Sequence, residues 1–139
     1  MAQHTTNNFN TFIEVAPDTK KVAAEVPPVK EGKQSVANIH YDMLRSNPYT
    51  YTSDDVIFNT YATKNDIANS ELVTEREKFF SKGQPCMRTS PLTKTYGWGI
   101  HCDADGKLAL IGLDSEEYDV YASDGSLDHV KAMRSKRDA

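Results

Sequence analysis

Apolar residues along this chain follow two periods, one typical of strands and one typical of helices. Residues 10–16 are rich in β-branched and aromatic side chains and are followed by Pro17, which predicts a first strand. Residues 21–26 predict a second, shorter strand. Pro27 and Pro28 then exclude a helix and predict an extended connection.

The middle of the chain has the helical period. Ser35 is a candidate N-cap, apolar side chains recur at helical spacing as far as Leu44, and Pro48 ends the pattern. A capping box at residues 52–55 predicts a second helix, and a third is predicted over about residues 70–82. The pattern thus predicts three helices between the first strands and the last third of the chain.

The last third of the chain returns to the strand period. Residues 85–90 predict a strand. Residues 96–102 and 107–113 flank a short turn rich in Asp and Gly, which predicts a β-hairpin. A short helix capped by Ser115 and a strand over residues 129–133 complete the pattern.

These elements predict a single α+β domain over residues 10–137. Its sheet is expected to be antiparallel, with a C-terminal β-hairpin at about residues 96–113 in its centre and the helices packed on one face. Residues 1–9 are polar, and we expect them to form a flexible N-terminus. With 139 residues, the chain is long enough to bury one core without disulfides or metal.

Charge and composition narrow the function classes. The net charge is −4 and basic residues are concentrated in residues 131–137, so the acidic remainder argues against tight, unspecific binding of nucleic acid. No apolar run approaches the roughly 20 residues of a membrane span. The N-terminus lacks the features of a secretory signal, and two cysteines without such a signal indicate a reducing compartment. We therefore expect a cytoplasmic protein that does not contact a membrane.

Residue types suited to catalysis or binding are concentrated in residues 83–102, which contain both cysteines, the only tryptophan and His101. Strand alternation places Trp98 and His101 on opposite faces of this segment. The face of His101 also holds Gly97 and Gly99. These glycines either admit a crossing segment of the chain or leave a shallow floor for a flat ligand, with His101 at its edge. Both interpretations stay open.

Two other residues of this block are candidates for chemistry. Arg88 can hold a carboxylate or phosphate with two hydrogen bonds, or it can form an internal ion pair. Cys86 can act as a nucleophile only if a base, such as His101 or His40, reaches it through the fold.

Metal and cofactor signatures are absent from the sequence. Cys86, His101 and Cys102 lack the paired spacing of zinc ligands, and the turn at residues 103–106 lacks the distal Glu of a calcium loop. No phosphate-binding loop, dinucleotide motif, serine-hydrolase elbow or zinc-protease motif occurs. We therefore predict no metal site and no cofactor.

Five sequence blocks resemble a known family. They are NTFIEV from residue 10, NPYTYTSDDV from residue 47, GQPC from residue 83, YGWGIH from residue 96 and KAMRSKR from residue 131. The family comprises small, mostly bacterial, stand-alone proteins and is a domain of unknown function. The resemblance spans about residues 10–137 and implies a single-domain cytosolic protein. It implies no activity, cofactor or catalytic residue.

We predict a non-catalytic binding module of the cytosol. Its candidate ligand-binding surface is formed by Arg88, Tyr96, Trp98 and His101. A small anionic or aromatic ligand, or a protein partner, would bind there. The alternative is a small enzyme that uses Cys86 or His101 in acid–base or nucleophilic chemistry. The sequence leaves the oligomeric state open.

Overall fold

A computed structural model gives the structure of residues 3–30 and 32–133. Four strands lie in these residues: β1 (Thr11–Glu14), β2 (Trp98–Cys102), β3 (Leu108–Gly112) and β4 (Asp128–Lys131). The α-helices of the same residues are α1 (Val36–Ser46), α2 (Ser53–Lys64), α3 (Leu72–Phe79), α4 (Pro91–Lys94) and α5 (Glu116–Ala122). Short 3-10 turns at Asn69–Glu71 and Met87–Thr89 precede α3 and α4.

The strands form one mixed sheet in the order β3-β2-β1-β4. β2 is antiparallel to β3, with Ile100 opposite Leu110. It is also antiparallel to β1, with His101 opposite Phe12. β1 and β4 run parallel, with Phe12 opposite His129. The predicted α+β class is confirmed, whereas the prediction of a purely antiparallel sheet is wrong, because β4 pairs with β1 in the same direction.

The pair of β2 and β3 lies at one end of the sheet. A turn at residues 103–106 joins the two strands, and the Asp103 carboxylate accepts hydrogen bonds there from the N–H groups of Asp105 and Lys107. After β3 the chain continues through α5 to β4, which lies at the far edge of the sheet. The expected placement of a C-terminal hairpin in the centre of the sheet is therefore wrong.

Helices cover both faces of the sheet, and the expectation that they cover one face is wrong. On the first face, Ile13 and Leu110 pack with side chains of α1, α2 and α4 in the main core. On the second face, Phe12 and Ile111 pack with Tyr118 of α5. Strand alternation explains this division, since Phe12 and Ile13 are neighbours along β1 and point to opposite faces.

The first two predicted helices begin at their predicted caps. The Ser35 hydroxyl accepts a hydrogen bond from the Asn38 N–H at 3.2 Å, and the Asn38 side chain accepts one from the Ser35 N–H at 2.9 Å. Thr52 and Asp55 make the same reciprocal pair at the start of α2. These bonds satisfy N–H groups that have no partner within the first turn of a helix. Both helices are confirmed, and α3 lies within the range expected for the third.

Residues 21–26 do not form the short strand that the sequence predicts. The Glu25 N–H donates to the Tyr96 carbonyl at 2.9 Å, and the Glu25 carbonyl accepts the indole N–H of Trp98 at 2.8 Å. The Ala24 N–H donates to the Asp114 side chain at 3.2 Å. The segment therefore makes isolated hydrogen bonds to several different partners. A strand would instead make a regular series of hydrogen bonds to one neighbouring strand.

Residues 85–90 also differ from their prediction as a strand. They form the 3-10 turn and lead into α4, because the Ser90 hydroxyl accepts the Leu92 N–H and thereby caps that helix. Pro91 suits the first turn of a helix, where its missing N–H would have no partner. The final strand, expected over residues 129–133, is present as β4.

The N-terminal segment lies against the start of α2. The Asp54 carboxylate accepts hydrogen bonds from the Thr5 hydroxyl at 2.7 Å and from the Thr6 N–H at 2.6 Å. The Asn7 side chain in turn accepts the Asp54 N–H at 2.9 Å. The flexibility expected for residues 1–9 stays a prediction. The basic residues 134–137 lie outside the described residues.

Gly97 and Gly99 are covered by the protein's own atoms. A Cβ at Gly99 would lie 2.8 Å from the Tyr118 ring and 2.9 Å from the Phe12 ring. A Cβ at Gly97 would lie 2.5 Å from the Ala23 carbonyl oxygen, and the φ of +78° at this residue also favours glycine. Of the two interpretations left open by the sequence, these contacts support packing.

Gly99→Ala is expected to destabilise the fold by about 1–3 kcal/mol, because the added methyl group overlaps two buried rings. Equilibrium unfolding in urea measures the change. Gly125→Ala is the control, since a Cβ at Gly125 meets no heavy atom within 4 Å. Equal stabilities of Gly99→Ala and the wild type would contradict close packing of α5 on β2.

His40 is a buried histidine of α1 that contacts the start of α4. Only 5 % of its surface is exposed, and its Nδ1 lies 2.8 Å from the Ser90 hydroxyl oxygen. Burial lowers the pKa of His40 to about 4 from the ordinary value of 6.5, since the charged imidazolium would lose its hydration. Folded His40 is therefore neutral at physiological pH.

The protein is expected to lose stability as the pH falls from 6.5 to about 4. In this window the unfolded chain takes up a proton on His40 and the folded chain does not, so protonation favours unfolding. The shift in pKa corresponds to about 3 kcal/mol over the whole window. Urea unfolding of the wild type and of His40→Gln across this window measures the effect. Parallel pH profiles of the two proteins would contradict it.

Candidate functional site

The four residues predicted as a ligand-binding surface are not brought together. Trp98 and His101 are three positions apart in β2, so their side chains point to opposite faces of the sheet. Tyr96 is half-buried against the main core, and Arg88 lies beside β4. A binding role for any of the four stays a prediction.

Trp98 belongs to the main core. Only 6 % of its surface is exposed, and its indole N–H is bonded to the Glu25 carbonyl. The Tyr41 ring packs on it at a centroid distance of 5.7 Å. The guanidinium of Arg45 lies 5.3 Å from the indole centroid. The small part of Trp98 that is not packed lines a polar cavity together with Arg45.

Arg88 is held to β4 by its side chain and its backbone. Its Nε donates to the Lys131 carbonyl at 2.6 Å, and its own carbonyl accepts the Met133 N–H at 2.8 Å. No carboxylate within the described residues pairs with it. The guanidinium thus ties the 3-10 turn to the last strand, a contact that neither interpretation of Arg88 from the sequence included.

His101 is the centre of a partly exposed aromatic cluster with Tyr49 and Tyr121. Its Nδ1 lies 2.8 Å from the Tyr49 hydroxyl oxygen. Its ring stacks on that of Tyr121, with centroids 4.2 Å apart and 18° between the planes. The two tyrosine hydroxyl oxygens are 3.4 Å apart. Three segments therefore meet here: β2, the loop between α1 and α2, and α5.

Burial and nearby carboxylates set the protonation of this cluster. Partial burial lowers the pKa of His101, and the charges of Asp103 and Asp124 offset only part of that effect. Burial, followed by the hydrogen bond and charge of Tyr121 and by nearby carboxylates, holds the pKa of Tyr49 well above its ordinary value. The cluster thus presents a neutral imidazole bonded to a neutral phenol at physiological pH, an arrangement through which a proton can pass.

The backbone of Tyr49 has a φ of +56°, in the left-handed region. This region is rare for a bulky side chain, costs about 1–3 kcal/mol and persists only where surrounding contacts hold it. Here the Tyr49 N–H donates to the Leu108 carbonyl at 2.8 Å, and His101 holds the hydroxyl. Strained residues of this kind concentrate at functional sites. The pair of Tyr49 and His101 is therefore a candidate for acid–base chemistry.

A groove of about 530 Å³ lies between α1, α2 and α3. Its wall is mainly apolar, with Met43 on α1, Phe58 and Ala62 on α2, and Leu72 and Val73 on α3. α3 packs on α2 through a small apolar cluster that is separate from the main core. The volume and the apolar wall are typical of small-molecule sites.

Arg76 brings a positive charge to this groove. Its Nη2 lies 3.0 Å from Asp55 Oδ1, and its guanidinium carbon lies 5.8 Å from the Phe58 centroid and 5.6 Å from the Phe80 centroid. Partial burial raises the pKa of Asp55, but hydrogen bonds from Thr52 and Arg76 outweigh burial and lower it. A guanidinium carries five N–H donors, so the pair with Asp55 leaves donors that a bound carboxylate can use.

The two cysteines differ in their surroundings. Cys102 is buried in the main core, and burial, with smaller effects of Asp103 and Cys86, raises its pKa to about 12. Cys86 is half-buried, and the two histidines considered as its base are bonded elsewhere, to the hydroxyls of Tyr49 and Ser90. Among the described residues, no group of three or more His, Cys, Asp or Glu side chains is placed to hold a metal ion.

The sequence pattern does not single out Tyr121 or Arg76 as candidate site residues. Tyr121 is one apolar position of a short helix, and Arg76 is one of several charged positions of α3. The residues that they contact lie in other helices, strands and loops, and helical spacing does not predict such contacts. The one available signal was strand alternation, which placed His101 on the face opposite Trp98, as observed.

The fold defines a single-domain α+β protein with a four-stranded mixed sheet. The chain belongs to the family of unknown function DUF6157, whose model matches residues 3–138. The resemblance to a domain of unknown function is thereby confirmed. No curated protein and no solved structure matches the chain. Among the described residues, no helix has the length and apolar character needed to cross a membrane.

His101 is expected to titrate below its ordinary pKa of 6.5, because partial burial disfavours the charged imidazolium. The chemical shifts of its ring protons, followed by NMR from about pH 4 to about pH 8, measure this pKa. The signals are assigned by their loss in His101→Gln. A midpoint at or above the ordinary value would mean that the neighbouring carboxylates outweigh burial.

Proposed function

We propose that the protein is a non-catalytic binding module of the cytosol and that its ligand is a small carboxylate with an aromatic or aliphatic body. The ligand lies in the groove between α1, α2 and α3, with its body against the apolar wall and its carboxylate on Arg76. One observation carries the proposal: the groove of about 530 Å³ combines a mainly apolar wall with a guanidinium whose donors the described residues use only in part.

The surroundings of Arg76 suit a carboxylate. The guanidinium lies near two aromatic rings, and Asp55 binds one of its edges, so its orientation is set before a ligand arrives. A planar fork of N–H donors matches the two oxygens of a carboxylate and is hydrated more weakly than an ammonium group. Preorganisation of this kind reduces the entropy that binding costs.

Magnitudes indicate that the body of the ligand contributes more than its charge. A buried aromatic ring removes about 150 Å² from water, which is worth roughly 4 kcal/mol. A hydrogen bond to a charged group adds about 1.5–3 kcal/mol. Because association itself costs several kcal/mol, we expect dissociation constants between roughly a micromolar and a millimolar. Val73, which is 75 % exposed at the groove, is a large apolar side chain that such a ligand would cover.

Fluorescence of anilinonaphthalene sulfonate, an aromatic anion, measures occupancy of the groove. We expect saturable binding to the folded protein, displaced roughly tenfold more effectively by naphthylacetate than by the uncharged naphthylethanol. Arg76→Gln is expected to remove this preference, because naphthylethanol does not need the guanidinium. Equal displacement by the two compounds would exclude the role given to Arg76. The absence of saturable binding would overturn the proposal.

A matched pair of charge substitutions locates the binding. Val73→Glu places a negative charge at the groove and is expected to repel naphthylacetate. Val120→Glu makes the same substitution on α5, where the valine is 64 % exposed and does not line the groove. The control is expected to leave binding unchanged. Equal losses in both variants would assign the effect to net charge instead of to the groove.

A second candidate function is acid–base chemistry at Tyr49 and His101. It is supported by the left-handed backbone of Tyr49 and the 2.8 Å contact of its hydroxyl with His101. A nucleophilic role for Cys86 has no comparable contact to support it. The NMR titration of His101 bears on this candidate, because an imidazole that is neutral at physiological pH is able to accept a proton from a substrate.

A further inference from the structure

β3 is an edge strand, and the hydrogen bonds of its outer side to other described residues lie at its two ends. At the first end, the Leu108 N–H donates to the Tyr51 carbonyl at 2.9 Å, and the Leu108 carbonyl accepts the Tyr49 N–H at 2.8 Å. At the second end, the Gly112 carbonyl accepts the N–H of Ser115 at 3.0 Å and its hydroxyl at 2.7 Å. The middle of the strand lies between these two closures.

Leu110 occupies this middle position, and its backbone faces outward. The N–H and C=O of one strand residue point to the same side, and every second residue repeats that direction. Leu108 bonds outward, to the segment before α2, so Leu110 points outward as well. Neither its N–H nor its C=O bonds to another described residue. Backbone groups pair with protein or with water, so these two are open to water or to an added strand.

A polar cavity of about 320 Å³ lies at this position. Leu110 and Gly112 of β3 line it, together with the charged side chains of Arg45, Asp114 and Glu117. It shares no lining residue with the groove between α1, α2 and α3. The cavity is therefore a candidate site separate from the proposed ligand groove, because different residues form it.

Two charged residues of the cavity, Arg45 and Glu117, come from the two layers that flank the sheet. Arg45 lies in the last turn of α1, on the first face, and its guanidinium contacts the Trp98 ring without pairing with a described carboxylate. Glu117 lies on α5, on the second face, and likewise forms no ion pair within the described residues. The open edge of β3 runs between a positive and a negative group.

An extended peptide complements both features of this edge. Its main chain can donate to the Leu110 carbonyl and accept from the Leu110 N–H, as an added strand does. Strand alternation turns successive side chains to opposite faces, so one residue reaches Arg45 and the next reaches Glu117. We infer that the open edge of β3 at Leu110 binds a short extended peptide in which an acidic and a basic residue are adjacent.

A second copy of this chain fits the edge less well. Antiparallel pairing of two β3 strands about a twofold axis keeps each face of the sheet on its own side. That arrangement brings the two Arg45 side chains toward each other, and the two Glu117 side chains likewise. Like charges that face each other across a strand pair are destabilising. Charge complementarity therefore favours a peptide of mixed charge.

The amide signal of Leu110 in a nitrogen–proton NMR spectrum tests the inference. Two tetrapeptides with blocked ends, Ala-Glu-Lys-Ala and Ala-Lys-Glu-Ala, cover both chain directions. One of them is expected to shift this signal saturably and to slow its hydrogen exchange. The peptide Ala-Glu-Ala-Lys places both charges on one face and is expected to bind roughly tenfold more weakly.

Two controls separate strand pairing from general charge attraction. N-methylation of the two central peptide nitrogens keeps the charges but removes the donor to Leu110, and is expected to abolish the shift. Arg45→Glu is expected to weaken binding roughly tenfold. Lys82→Glu makes the same charge change at an exposed residue outside the cavity and is expected to have no effect.

No shift with either tetrapeptide, or equal binding of the N-methylated peptide, overturns the inference. Protection of the Leu110 amide by protein concentration alone assigns the edge to a second copy and overturns it as well. The groove is untouched in these experiments, so their failure is distinguishable from failure of the proposed carboxylate site.

Discussion

The parallel pairing of β4 with β1 is the constraint on which the rest of the structure depends. β3 and β4 follow each other along the chain but lie at opposite edges of the sheet, so the chain has to cross the sheet between them. α5 lies in that crossing, on the second face, where it covers Phe12 and stacks Tyr121 on His101. The same path leaves the outer side of β3 without a neighbouring strand. One pairing thus accounts for the second core, the aromatic cluster and the open edge.

Some polar groups of this protein have all their hydrogen bonds within the fold, and others keep donors or acceptors that the described residues do not use. Ser35 and Thr52 close helix starts, and Asp54 holds the N-terminal segment, with donors and acceptors matched. By contrast, the guanidinium of Arg76 and the backbone of Leu110 retain capacity that the described residues do not take up. Both groups are open to water or to a ligand, and the two proposed binding sites depend on them.

Predictions from the sequence succeeded where the signal was local and failed where a distant segment competed. The caps at Ser35 and Thr52 predicted α1 and α2, since each cap involves residues three apart. The strand predicted over residues 21–26 is absent, because hydrogen bonds to distant partners hold this segment in an irregular path. The candidate site shows the same division. Alternation along β2 predicted the face of the sheet on which His101 lies. Its partners, Tyr49 and Tyr121, come from segments far away along the chain.

By itself, the sequence determined the α+β class, the main helices, the turn between β2 and β3 and the division of β2 into two faces. These features depend on caps, turn residues and periodicity, which act over a few residues. Only the tertiary structure decided the strand order, the direction of β4, the position of α5 on the second face and the groove beside Arg76. Those features depend on which apolar surfaces meet across long connections. That choice is made by the summed burial of many side chains, and no short stretch of sequence contains it.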